Sequence, residues 1–179
     1  MIANHRFKTF AGQLSFEFAF DLYVGGGTGG EGVSVCVANP IADTKAFEKR
    51  VERLLKPAGL VEWISDERLM DAVTAVSGSG PAYVFLFTEA LAAAAEAEGL
   101  PRALALTLAK QTVAGAGALM KAGQGEPDEL RRAVTSPGGA TQAGLDALMN
   151  GGGLPGLVRN AVAAAERRGR KMGSQSAGD

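Results

Sequence analysis

A mainly helical domain led by a small strand–helix–strand unit is the fold class that the sequence predicts, and three observations predict it. From Asp66 onward alanine and leucine dominate, and proline and glycine punctuate the segments where helices begin and end. Between Val33 and Ile64, two short apolar runs flank a stretch with helical spacing, the pattern of a unit that builds parallel sheets. From Leu14 to Val24 the chain alternates, with Phe16, Phe18, Phe20, Leu22 and Val24 on one side, the period of a half-buried strand.

Taken in order, the alternating strand runs into the glycine-rich stretch Gly25–Gly30, and Val33–Val37 is a second strand, paired with the first as a hairpin or standing apart from it. Asn39-Pro40 stops it. Asp43 can cap a helix whose Phe47, Val51, Leu54 and Leu55 share one face, Pro57 and Gly59 end that helix, and Gly59–Ile64 reads as a further strand. Helices are then expected over Asp66–Val76, Pro81–Glu98, Pro101–Lys121, Pro127–Val134, Thr141–Met149 and Pro155–Lys171. Pro101, Pro127 and Pro155 suit a first helical turn, while Gly99, Gly123 and Gly151 suit a stop. Asp128 and Glu129 match the positive start of their helix, and Arg167, Arg168, Arg170 and Lys171 match the negative end of theirs. The resulting organisation is 1–30, an amino-terminal segment with a strand and a glycine-rich turn; 31–65, the strand–helix–strand unit; 66–172, the helical domain; and 173–179, a polar tail expected to be disordered.

The helices from Pro81 to Lys121 are apolar around most of their circumference and carry Gly115 and Gly117, so they predict burial in a dimer, with an ordinary core helix pair as the alternative. Composition narrows the chemistry. Hydrophobic residues make up 46% and charged residues 21%, as in a globular protein. Lys and Arg (18) nearly balance Asp and Glu (19), which leaves no electrostatic footprint for nucleic acid or an anionic membrane. With one cysteine, Cys36, and one histidine, His5, no intrachain disulfide, His/Cys-rich zinc site or His-based triad can form, and no metal is expected. No uninterrupted apolar run reaches membrane-spanning length and no signal peptide core is evident, so a cytoplasmic protein is expected.

Three motifs bear on function. Gly25–Gly30 fits the spacing of a dinucleotide loop, but the following segment reads as a strand, whereas that loop must open a helix, so a turn or spacer fits better. In Val134–Thr141, Pro137, Gly138 and Gly139 free the backbone for a tight turn before a helix. The amides of Gly138, Gly139, Ala140 and Thr141, with the hydroxyls of Ser136 and Thr141, form either a nest for a carboxylate or a plain turn with a capping threonine. Ser77–Pro81 reads equally as a hinge and as a binding segment offering Ser77 and Ser79.

Together the segments ANP (Ala38–Pro40), DAVTAVSGSGPAY (Asp71–Tyr83), GLP (Gly99–Pro101) and PDELRRAVTSPGGATQAGLDAL (Pro127–Leu148) resemble, in order, the carboxyl-terminal half of the pyrroline-5-carboxylate reductase family. The resemblance implies a helical dimerisation domain similar to the 6-phosphogluconate dehydrogenase C-terminal-like helical domains, preceded by a remnant of a Rossmann-like sheet. It also implies an oxidoreductase of proline biosynthesis, which uses NADPH or NADH to reduce the cyclic imine 1-pyrroline-5-carboxylate to L-proline. By resemblance, Ser136, Gly138, Gly139, Ala140 and Thr141 would hold the substrate carboxylate, Thr141 would be the catalytic residue, hydrogen-bonding near the imine nitrogen, and Ser77 and Ser79 would line the pocket. Either Thr141 or a water would supply the proton. Family members interlock as homodimers and assemble further. They begin with a complete dinucleotide-binding domain that Met1–Gly30 does not match, so a truncated form is implied. The alternative is a non-catalytic module that pairs with a full-length reductase.

Overall fold

The structure, a computed structural model, describes residues 3–11, 14–22, 32–37, 49, 52–53, 59–60, 62–63 and 66–176. These fall into two compact units, one drawn from Met1–Gly80 with Val162–Asp179, the other Pro81–Ala161.

In the first unit, β1 (Ala3–Ala11), β2 (Leu14–Leu22), β3 (Gly32–Val37) and β4 (Gly59–Leu60) form one sheet in that order. β2 and β3 pair antiparallel, Ala19 opposite Val37 through Leu22 opposite Ser34, so the hairpin alternative holds. β1, with only Phe7 and Phe10 as large apolar residues, was not expected; it pairs along its whole length with β2, which supplies the register that its own sequence signals weakly. β3 and β4 are parallel, Gly32 opposite Gly59 and Val33 opposite Leu60, as a strand–helix–strand unit requires. β4 is shorter than the expected Gly59–Ile64: Glu62 and Trp63 leave the strand, and the Trp63 indole N–H donates to the Glu52 carboxylate at 3.0 Å. The Gly25–Gly30 run and most of the helix expected after Asp43 lie outside the described residues.

Asp66 starts the helical part. Its carboxylate accepts the Arg68 N–H at 3.0 Å and pairs with the guanidinium at 2.8 Å, and that side-chain hydrogen bond, followed by the backbone one, lowers the pKa of Asp66. A 3-10 turn (Glu67–Leu69) leads into α1 (Met70–Val73), which widens into a π-turn over Thr74–Gly78, with the Ser79 N–H donating to the Thr74 carbonyl at 2.9 Å. The expected break at Ser77–Pro81 is therefore a widened turn that leads directly into the next helix: residues without bulky side chains leave room for the longer hydrogen-bond step. The last helix returns close to α1. A Cβ on Gly169 would lie 2.7 Å from Asp71 Oδ1, so a larger residue here would require the Asp71 carboxylate to turn aside.

The second unit holds most of α2 (Gly80–Ala97), then α3 (Arg102–Lys121), α4 (Pro127–Ala133), α5 (Ala140–Met149) and the start of α6 (Gly153–Ser176). α2 closes in a Schellman turn at Gly99, with the Leu100 N–H reaching the Ala95 carbonyl at 3.1 Å, and Gly123 and Gly151 likewise carry positive φ where stops were expected. α4 starts from a capping box: the Glu129 side chain accepts the Glu126 N–H at 3.0 Å and Glu126 caps in return. α6 runs to Ser176, beyond the end expected at Lys171. Extending an established helix costs far less than starting one, so even Gly-Ser-Gln-Ser continues it.

Among the described residues, the buried hydrophobic side chains are all alanines: Ala75, Ala92, Ala105 and Ala109. Larger ones on the helices lie open, Phe85 by 60%, Leu86 by 64% and Leu157 by 68%. α3 has the length and composition to cross a membrane, with mean hydropathy 1.2 over its most apolar window. Reading only uninterrupted apolar runs overlooked it, because Lys110 and Gln111 break the run without lowering the average far.

Candidate functional site: a proline-glycine turn at a helix start

The segment between α4 and α5 is built from backbone outward. Thr135 closes α4 twice, its N–H donating to the Arg132 carbonyl at 3.1 Å and its hydroxyl to the Arg131 carbonyl at 2.6 Å. The chain then reverses, with the Gly139 N–H donating to the Ser136 carbonyl at 3.0 Å across Pro137 and Gly138. Proline presets the first corner, and Gly138 supplies φ of 70° at the second, the combination of a type II turn. A Cβ on Gly139 would stand 3.1 Å from the Ser136 carbonyl oxygen, so the second glycine serves close approach rather than an unusual φ.

α5 begins immediately, its first helical bond running from the Ala143 N–H to the Gly139 carbonyl at 3.2 Å, and no side chain caps it. The N–H groups of Ala140, Thr141 and Gln142 are thus left at a positive helix end with no carbonyl to meet inside the helix. The Gly139 N–H is occupied within the turn. Gln142 was not singled out from sequence; counting three amides from the helix start is the signal that finds it. Its side chain is engaged elsewhere, donating to Asp146 Oδ1 at 2.7 Å. Ser136 and Thr141 are exposed, and their hydroxyls make no hydrogen bond with any described residue. An anion at this end could therefore meet three amides and two hydroxyls.

The neighbouring helices brace the turn. The Arg131 guanidinium donates to Met149 Sδ at 3.6 Å, linking α4 to the far end of α5, and Arg132 pairs with Asp128 at 2.6 Å one turn back. Ser77 and Ser79 belong to the other unit. There the Ser77 hydroxyl donates to the Val73 carbonyl at 2.9 Å, which leaves it as an acceptor toward a ligand, while the half-buried Ser79 hydroxyl makes no such bond. Among the described residues no glycine-rich loop leads from a strand into a helix, and no cluster of three or more His, Cys, Asp or Glu could hold a metal.

Residues 67–172 match the family model described as pyrroline-5-carboxylate reductase dimerisation. Pyrroline-5-carboxylate reductase of Pisum sativum is 49% identical over 131 residues, 73% of this chain and 47% of that protein. The solved pyrroline-5-carboxylate reductase of Coxiella burnetii superposes with TM-score 0.72 at 38% identity, over 78% of this chain and 51% of that one. The Plasmodium falciparum pyrroline carboxylate reductase, solved with NADP bound, gives TM-score 0.64 at 34% identity over 79% and 53% of the two chains. The chain spans about half the length of the curated relatives that it matches.

Proposed function

The chain belongs to the pyrroline-5-carboxylate reductase family, and from that premise we propose that it supplies the substrate-holding, subunit-pairing half of a cytoplasmic reductase that converts 1-pyrroline-5-carboxylate to L-proline. The observation that carries the reading is the type II turn at Ser136–Gly139, which sets three unspent amides and the Ser136 and Thr141 hydroxyls at the start of α5. The substrate's carboxylate suits those amides. The Thr141 hydroxyl, one residue into the helix, would sit beside the ring and hydrogen-bond near the imine nitrogen, raising its electrophilicity.

The hydride would come from NADPH or NADH. The described residues do not fit a dinucleotide, since none forms the glycine-rich strand-to-helix loop that receives a pyrophosphate. The nucleotide site must therefore come from residues beyond those described or from a complete subunit. Pairing is supported by the open apolar side chains of α2, α3 and α6, which one copy of the chain leaves to solvent. We read α3 as a pairing helix rather than a membrane span because the charge of Lys110 sits midway along it.

The deciding experiment follows NADPH and NADH oxidation with 1-pyrroline-5-carboxylate, using the purified chain alone and mixed with a complete reductase subunit. Turnover by the chain alone, or in the mixture above that of the complete subunit by itself, that falls at least tenfold, roughly, in Thr141→Val supports the reading. No oxidation by the chain alone and none in the mixture above that of the complete subunit, with proline-like carboxylates still binding, would favour the second reading, a non-catalytic module that pairs with full-length reductase.

A further inference from the structure

α2 and α3 flank a groove of about 350 Å³ whose wall includes Val84, Phe85, Glu89, Leu106, Lys110 and Val113. It is an apolar trench with one acid from one helix and one base from the other. Neither Glu89 nor Lys110 makes an ion pair or a hydrogen bond with any described residue. Under a two-fold axis such a face is self-complementary, because the acid of each copy can be brought to the base of the other, and both pairs form at once. Apolar surroundings strengthen such pairs and make a mismatched one costly.

We propose that Glu89 and Lys110 pair reciprocally between two copies of this chain, fixing the register in which the α2–α3 faces dock and selecting partners that carry the same acid and base. This rests on the pairing reading above and adds to it a residue-level rule for which subunits are accepted. Apolar burial provides attraction without direction, whereas the two charges allow one alignment and penalise a subunit that presents like charge.

Sedimentation equilibrium on the full chain tests it, with Glu89→Lys, Lys110→Glu and the double exchange. Wild type is expected to dimerise, each single exchange to weaken the dimer about tenfold or more, and the double exchange to return within about threefold of wild type. Mixing the two single variants should give heterodimers in preference to either homodimer. In the mixed dimer one subunit is basic at both positions and the other acidic at both, so each contact across the interface joins opposite charges, whereas either homodimer joins like ones. Far-UV circular dichroism of each variant shows that its helices are formed, and the mixing arm reads pairing even where a single variant alone is weakly folded. Single variants that dimerise like wild type, or a mixture with no heterodimer preference, would overturn the proposal and leave the pairing reading standing. A monomeric wild-type chain would instead sink the pairing reading, and this proposal with it.

Discussion

The stretch from Pro127 to Met149 and the helix pair α2–α3 are solved by opposite means. In the first, nearly every end is satisfied locally: Glu126 and Glu129 cap α4, Thr135 closes it, the Ser136 carbonyl holds the turn, and Arg131 reaches Met149. In the second, the buried hydrophobic side chains are alanines, while Phe85 and Leu86 lie 60% and 64% open. The difference teaches where stability resides. A segment closed by its own hydrogen bonds keeps its shape in one copy of the chain, whereas a helix pair with its larger side chains outward leaves most of its apolar surface for another surface to cover.

The sharpest way to break that contrast is to overfill the little that α2–α3 buries. Ala105, fully buried, replaced by leucine should cost about 3 kcal/mol in urea unfolding, at the upper end for overpacked sites; a neutral result would mean the helices have slack. Next in size, Leu86→Gln should weaken dimerisation by about 2 kcal/mol, the worth of one buried leucine, read by sedimentation. The same change should alter the unfolding of dilute monomer by less than about 0.5 kcal/mol, as befits an exposed site. On the locally closed side, Gly138→Ala should cost about 1 kcal/mol, the penalty for a side chain in the left-handed region, and the loss should be independent of protein concentration.

The smallest effect concerns acid. The folded Asp66 carboxyl has its pKa lowered by Arg68, so its contribution to stability is complete above the unfolded-state pKa and disappears as pH falls through the lowered folded one. Asp66→Asn should therefore flatten the acid limb of the stability curve slightly and leave neutral stability nearly unchanged, because the pair is exposed. NMR titration of the Asp66 carboxyl, with a midpoint at or above that of an ordinary aspartate, would contradict the arrangement.

Much of this was legible in sequence because the signals are local. Pro137 and Gly138 announce a turn that requires one preset φ and one positive φ, and Gly99, Gly123 and Gly151 mark helix ends by the same conformational freedom. The features that escaped depend on choices between near-equal partners. Whether the Ser79 N–H steps back four residues or five to Thr74 is decided by geometry that small side chains merely permit. Glu126 is outside the usual capping residues, so the reciprocal bond with Glu129 gives no warning. In the candidate site, the loop and its hydroxyls were readable, while the assignment of individual amides was not, because only folding reveals that the Gly139 N–H is taken by Ser136 and that Gln142 brings the third.

The Pro137-Gly138 turn has one more consequence, for the thermodynamics of binding. A loop whose corners are set by a ring and by a left-handed glycine has little conformational freedom to surrender when an anion arrives. Calorimetry of a carboxylate at the start of α5 should therefore show a small entropic penalty for ordering the protein. Pro137→Ala should keep the contacts yet bind more weakly, with the loss concentrated in the entropy.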